Sequence, residues 1–129
     1  MIQTFEITGR LDGLNEYTED CRRSYQGGGR VKKRNDKAVR DAIKAAGLVP
    51  MRTPVIVHIT WVEGLKPGSS RFVPRDKDNI RFAAKFVLDA LVAEGIIKDD
   101  GWHHVAEIAD SFRINRNDPR VIVTVEEVR

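Results

Sequence analysis

The stretch Pro54-Val55-Ile56-Val57-His58-Ile59-Thr60-Trp61-Val62 decides the fold. In an extended chain Val55, Val57, Ile59 and Trp61 fall on one side and Ile56, His58, Thr60 and Val62 on the other. Apolar residues on both sides predict a central strand. Residues 2–8 alternate around Phe5 and Ile7 and predict a first strand. Val105–Ile114 and Val121–Val128 predict two more, joined by the turn-rich Asn115-Arg116-Asn117-Asp118-Pro119.

Helical spacing fills the intervals. Residues 14–24 predict a short helix, with Tyr17 and Cys21 one turn apart. Residues 31–46 predict a longer one, with Val31, Ala38, Val39, Ala42, Ile43 and Ala46 as its stripe and Gly47 as its cap. A third runs from Asp78 or Asn79, whose short side chain caps it, to about Glu94, with Gly95 ending it. Gly95–Lys98 reads as the start of a returning strand. Gly27-Gly28-Gly29 and Glu63–Ser70 read as loops. The order β-α-α-β-α-β-β predicts an α+β protein, a two-layer α/β sandwich in one domain over 1–129.

The chain has 129 residues, enough for a single core, with 22 Lys+Arg against 19 Asp+Glu and a net charge of +3. That balance is mildly basic, so the placement of charge matters more than its sum. Cys21 is the only cysteine, which excludes an intramolecular disulfide and a Cys-based zinc site within one chain. The opening residues lack a signal-peptide pattern and no apolar run is long enough for a membrane span, so a cytoplasmic protein with no membrane partner is expected. Nothing resembles a Ser-His-Asp set, a P-loop or a dinucleotide fingerprint. His103 and His104, adjacent on an expected strand, point apart and do not share a metal. Trp61 and Trp102 read as core or interface residues.

Acid is concentrated around the third helix: Asp76-Lys77-Asp78-Asn79 before it and Asp99-Asp100 after it. Asp76 and Asp78 are two apart, so in an extended segment both carboxylates face one side and repel unless a cation sits between them. A helix of about 16 residues is about 24 Å long, so Asp99 or Asp100 must fold back to meet them. Three carboxylates would then offer the oxygen ligands that Mg²⁺ prefers. Spacing alone favours a plainer arrangement, a loop and N-cap at Asp76 and Asp78 and a hairpin turn at Asp99-Asp100-Gly101. Lys85 lies nearly two helical turns beyond Asp78 and Arg81 one turn closer. Either would face a phosphate there, or, with Asp89, form a solvated stripe. Arg22, Arg23, Arg30, Lys32, Lys33, Arg34, Lys37 and Arg40 stand against Asp36 alone. With Tyr17, Tyr25 and the glycine run they read as a loop that orders on a nucleic-acid backbone, or as a solvated face.

Together, Asp76-x-Asp78-Asn79, Lys85-x-x-x-Asp89-Ala90-Leu91, Gly95-Ile96 and Asp99-Asp100 resemble the RusA family of Holliday junction resolvases. Asn15 after the first strand, the basic second segment and the paired C-terminal strands extend the likeness over most of the chain. The resemblance implies a homodimeric, Mg²⁺-dependent endonuclease, Mn²⁺ being the alternative ion, that cuts four-way DNA junctions by paired, symmetric nicks. It implies catalytic and metal-binding roles for Asp76, Asp78 and Asp100, with Lys85 as the essential lysine. It also implies DNA contacts from Arg22, Arg23, Arg30, Lys32, Lys33, Arg34 and Lys37. Ten residues separate Asp78 from Asp89 here, about one helical turn more than in the family, which leaves Arg81 as the alternative to Lys85. Asp99 is the alternative to Asp100. Another branched-DNA nuclease and a non-catalytic DNA-binding protein are the competing functions.

Overall fold

The computed structural model describes residues 1–23 and 29–128. The elements are β1 (Ile2–Thr8), α1 (Leu14–Arg23), α2 (Gly29–Ala46), β2 (Val55–Glu63), α3 (Lys77–Arg81), α4 (Ala84–Ala93), β3 (Val105–Ile114) and β4 (Arg120–Glu127). The sheet order is β1-β4-β2-β3. β4 is antiparallel to both β1 and β2, while β2 and β3 are parallel and joined through α3 and α4. This is the expected α+β sandwich of two layers, with β2 in the interior of the sheet.

One face of the sheet carries the core. Phe5 and Ile7 of β1, Val121, Val123 and Val125 of β4, and Val55, Val57, Ile59 and Trp61 of β2 are all buried there. The helices cover them with Val39 and Ile43 of α2 and Phe86, Val87, Ala90 and Leu91 of α4. The other face is more polar. The Thr4 and Thr124 hydroxyls meet at 3.1 Å, Arg120 pairs with Glu6 at 2.8 Å, and His58 bonds Ser111 at 2.9 Å. β2 is therefore central in the sheet, but its second side is only partly covered, with His58 exposed.

Five local expectations are corrected. The single helix from Asp78 to Glu94 is two helices, because the chain tightens between them. Ala83 N–H bonds Ile80 C=O, Lys85 N–H bonds Phe82 C=O and Phe86 N–H bonds Ala83 C=O, each reaching back three residues rather than four. Gly95–Lys98 forms no strand; Ile96 and Ile97 turn inward as core, and Ile96 C=O accepts from Met51 N–H at 2.8 Å. His103 and His104 lie in the turn before β3, and Trp102 in that turn is 91% exposed, whereas Trp61 is core. The two C-terminal strands flank β2 instead of pairing with each other. Gly29 opens α2 rather than a loop, while Tyr25, Gly27 and Gly28 lie outside the described residues.

Candidate functional site

β1 and β2 both run antiparallel to β4, so they share a direction and their carboxyl ends open at the same edge of the sheet. Ligands of open α/β sheets bind at such ends. β1 runs on into Gly9-Arg10-Leu11-Asp12, and β2 ends at Glu63. Glu63 continues the buried row Val55, Val57, Ile59, Trp61 and is itself only 4% exposed. A carboxylate buried there needs partners. Arg75 supplies them. Its Nε and Nη2 donate to the two Glu63 oxygens at 2.8 Å each, and its backbone N–H donates to Oε2 at 3.0 Å. Arg75 Nη1 also reaches the Leu11 carbonyl at 2.9 Å, tying this loop to the end of β1.

Burial opposes charge on Glu63, but the bonds and charge of Arg75 outweigh it and hold the carboxyl below its ordinary value. Burial likewise opposes charge on Arg75, and Glu63 overcomes it, so the guanidinium is raised. Arg10 differs: burial, with the like charge of Arg75, lowers it despite Glu63 and Glu16. Asp12 sits alongside. Burial works against its charge, and bonds from Arg34 at 2.7 and 2.8 Å and from Asn35 at 2.6 Å prevail, so it too lies low.

This buried pair fixes the segment that carries the acidic motif, because Asp76 follows Arg75 directly. Asp76 occupies the N-cap position of α3 but makes no side-chain cap bond. Asn79 does not cap α3 either. Its Oδ1 accepts from the Asn15 N–H at 2.8 Å, capping α1 from across the fold. Gly13, at the cap position of α1, has no room for a side chain: a Cβ would lie 2.6 Å from both Asn79 O and Oδ1. Asn15, part of the family likeness, thus meets the acidic motif through Asn79. Asp76 and Asp78 are exposed. Among the described residues no basic side chain pairs with either, whereas Asp12, Asp41, Glu63, Glu94 and Asp110 are all paired.

Asp100 stands elsewhere. Lys77 at the start of α3 lies over the Phe112 ring, while Gly101, next to Asp100, accepts from the Val105 N–H at the start of β3. Seven strand residues at about 3.3 Å each separate Val105 from Phe112, roughly 23 Å. The crossover therefore starts near one end of the sheet and finishes near the other. Asp100 instead borders a cleft with Asp89, Lys32 and Lys33 of the α2–α4 face. Among the described residues no three His, Cys, Asp or Glu side chains are grouped so as to hold a metal ion. The expected three-carboxylate cluster is thus not assembled. Asp76 is extended but Asp78 lies in the first turn of α3, so the same-side placement expected of an extended segment does not hold, although neither carboxylate has a basic partner among the described residues. One or two carboxylates are adequate in principle, since Mg²⁺ keeps several waters and takes its remaining oxygens from substrate phosphates. Between Asp99 and Asp100, Asp99 Oδ1 is occupied by the Asp100 N–H at 2.9 Å, which leaves Asp100 the freer side chain.

The basic candidates separate in the same way. Arg81 is held by Asp110 at 2.9 Å, and Asp110 also accepts from Trp61 Nε1 at 2.7 Å. Lys85 makes only a 3.9 Å contact with Asp89 on its own helix. In the α1–α2 segment Arg23 pairs with Glu19, Arg34 with Asp12, Lys37 with Asp41 and Arg40 with Glu94. Arg22, Arg30, Lys32 and Lys33 are exposed and have no carboxylate partner among the described residues.

The residues that the sequence reading missed are Arg10, Glu16, Glu63 and Arg75. A signal was present: Glu63 continues the alternation of a buried strand face, and a charge in that register demands a partner. No helix among the described residues is long and apolar enough to cross a membrane. Compared with models of known protein families and with curated proteins, the sequence matches none of them.

Proposed function

We propose that the protein is a Mg²⁺-dependent endodeoxyribonuclease that resolves four-way DNA junctions by paired nicks, acting as a homodimer in the cytoplasm. The observation that carries this reading is the exposed, unpaired Asp76-x-Asp78 motif, pinned at the carboxyl ends of two parallel strands by the buried Arg75–Glu63 pair. Rigid support of free carboxylates is what a cation-dependent site requires. The cation would stabilise negative charge on a scissile phosphate and acidify a bound water. Asp76 and Asp78 hold that position, and Arg75 keeps their segment against the sheet. Arg81 is committed to Asp110, so Lys85 is the freer basic group to face a phosphate. Arg22, Arg30, Lys32 and Lys33 provide exposed positive charge for the DNA backbone, and a two-fold dimer would present two such sites to symmetry-related strands.

The test is cleavage of a synthetic four-way junction with Mg²⁺ or Mn²⁺, with a linear duplex as control. Wild-type protein is expected to nick symmetrically, and Asp78→Asn to bind the junction without cutting it. Full activity in Asp78→Asn overturns the site. The separation of Asp100 from Asp76 and Asp78 favours one competing reading, a non-catalytic DNA-binding protein. Junction binding with no cleavage in any divalent metal would establish that one instead, and cleavage without junction selectivity would indicate a broader branched-DNA nuclease.

A further inference from the structure

A cleft lies between the carboxyl ends of β1 and β2 and the flank of α2. It consists of two cavities of about 540 and 390 Å³ that share Arg10, Glu16, Lys66 and Arg75. The first reaches Arg34 on α2, and the second reaches Arg71 and Asn79, beside the start of α3. Positive charge dominates both: Arg10, Arg34, Lys66 and Arg75 face Asp12 and Glu16 in the first, and Arg10, Lys66, Arg71 and Arg75 face Glu16 in the second.

Arg10 is the anomaly in this cleft. Its side chain is 12% exposed, as is that of Arg75. Arg75 makes charge-assisted bonds at 2.8 Å, but Arg10 reaches only the Gly64 carbonyl at 3.4 Å, Glu63 at 3.7 Å and Glu16 at 3.9 Å. A guanidinium carries five donors, and charge-assisted bonds to carboxylate or phosphate run at about 2.7–2.9 Å. Arg10 is therefore largely buried and poorly satisfied, with open cavity beside it. Lys66 is exposed at the rim, and the described residues offer it no carboxylate partner.

We propose that this cleft binds the phosphate groups of a nucleic-acid strand, with Arg10 as the inner contact and Lys66 as the outer one, and leads the strand toward Asp76 and Asp78. The choice of ligand rests on the function proposed above; the anion chemistry does not. Glu16 opposes the anion. Its Oε2 is buried without a hydrogen-bond partner, so the carboxylate is a negative charge that neither arginine fully satisfies.

The experiment is binding of a labelled four-way junction, a labelled single strand, a mononucleotide and inorganic phosphate, all in EDTA so that cleavage plays no part. Lys66→Ala, on an exposed turn, is expected to weaken binding of all DNA probes about five- to tenfold and to lower the slope of log K against log salt by about one. Arg10→Gln is expected to do the same, provided its circular dichroism is native. Glu16→Gln is expected to tighten binding severalfold, which loss of structure would not produce. Unchanged affinity and slope in Lys66→Ala and Glu16→Gln, with binding lost in Lys32→Ala/Lys33→Ala, would overturn the cleft while leaving a DNA-binding protein. Phosphate or mononucleotide binding that responds to Lys66→Ala and Glu16→Gln, with no DNA bound, would retain the anion site and remove the DNA function. Failure to bind any probe removes both.

Discussion

Replacing Glu63 by alanine deletes the acceptor of three Arg75 bonds at 2.8, 2.8 and 3.0 Å and the carboxylate 3.7 Å from Arg10. Two largely buried guanidinium groups then face each other with only Glu16 and backbone carbonyls for compensation. Removing one partner of a buried pair costs about 3–5 kcal/mol, because the remaining charge stays desolvated. Against a total domain stability of about 5–15 kcal/mol, that is a large share. Glu63→Gln keeps one carbonyl acceptor and loses the charge, so it should cost about 1.5–3 kcal/mol. Urea denaturation followed by circular dichroism measures both. The expected order of midpoints is wild type, Glu63→Gln, Glu63→Ala, with the slope of free energy against urea unchanged. If Glu63→Ala lies within about 1 kcal/mol of wild type, the Arg75–Glu63 pair does not hold the Asp76 segment in place.

Acid stability depends on the same group. Glu63 and Asp12 both have folded-state values below their ordinary ones, so their contribution is complete above about pH 4.5 and fades as pH falls through the depressed values. Acid titration of unfolding should therefore be shallower below that pH in Glu63→Gln than in wild type, and equal slopes would contradict the linkage. Gly13→Ala places a Cβ 2.6 Å from the Asn79 backbone and side chain, which must shift and lose the α1 cap. A loss of about 2 kcal/mol or more is expected by thermal denaturation, and a neutral result would mean that α1 and α3 do not approach so closely. Lys85→Met breaks only a 3.9 Å pair between exposed side chains, so stability should change little, while junction cleavage should fall about a hundredfold. Undiminished cleavage would move the basic role away from Lys85.

The strands were legible because period-two alternation is a local signal. β1 and β3 match the expected spans, and β2 and β4 differ by one residue at their ends. The break between α3 and α4 was not legible, since Phe82, Ala83 and Ala84 are all compatible with a continuous helix and their tightening shows in backbone bonding alone. The sheet order escaped for a different reason. Val105–Ile114 and Val121–Val128 read as neighbours because a short turn links them, yet the parallel crossover places β2 between them. The same crossover leaves Asp100 near the start of β3 while Asp76 and Asp78 lie near its far end, which spacing along a single helix could not reveal. Asp76 and Asp78 are two apart in one segment, so their nearness in the chain is legible, but the helical start that separates their directions is not. Arg10, Glu16, Glu63 and Arg75 come from four separate segments, so only the fold reveals them as a group.

The bond from Asn15 to Asn79 spans 64 residues. α1 has ten residues, none of them buried, and its cap position is a glycine with no side chain to offer. So short a helix is marginal by itself in water. Its first turn must wait for the β2–α3 connection to form and present Asn79, and the entropy of closing that long loop is spent before the cap exists. In kinetic terms α1 is a late element. Weakening its start should leave the folding rate nearly unchanged and appear as faster unfolding.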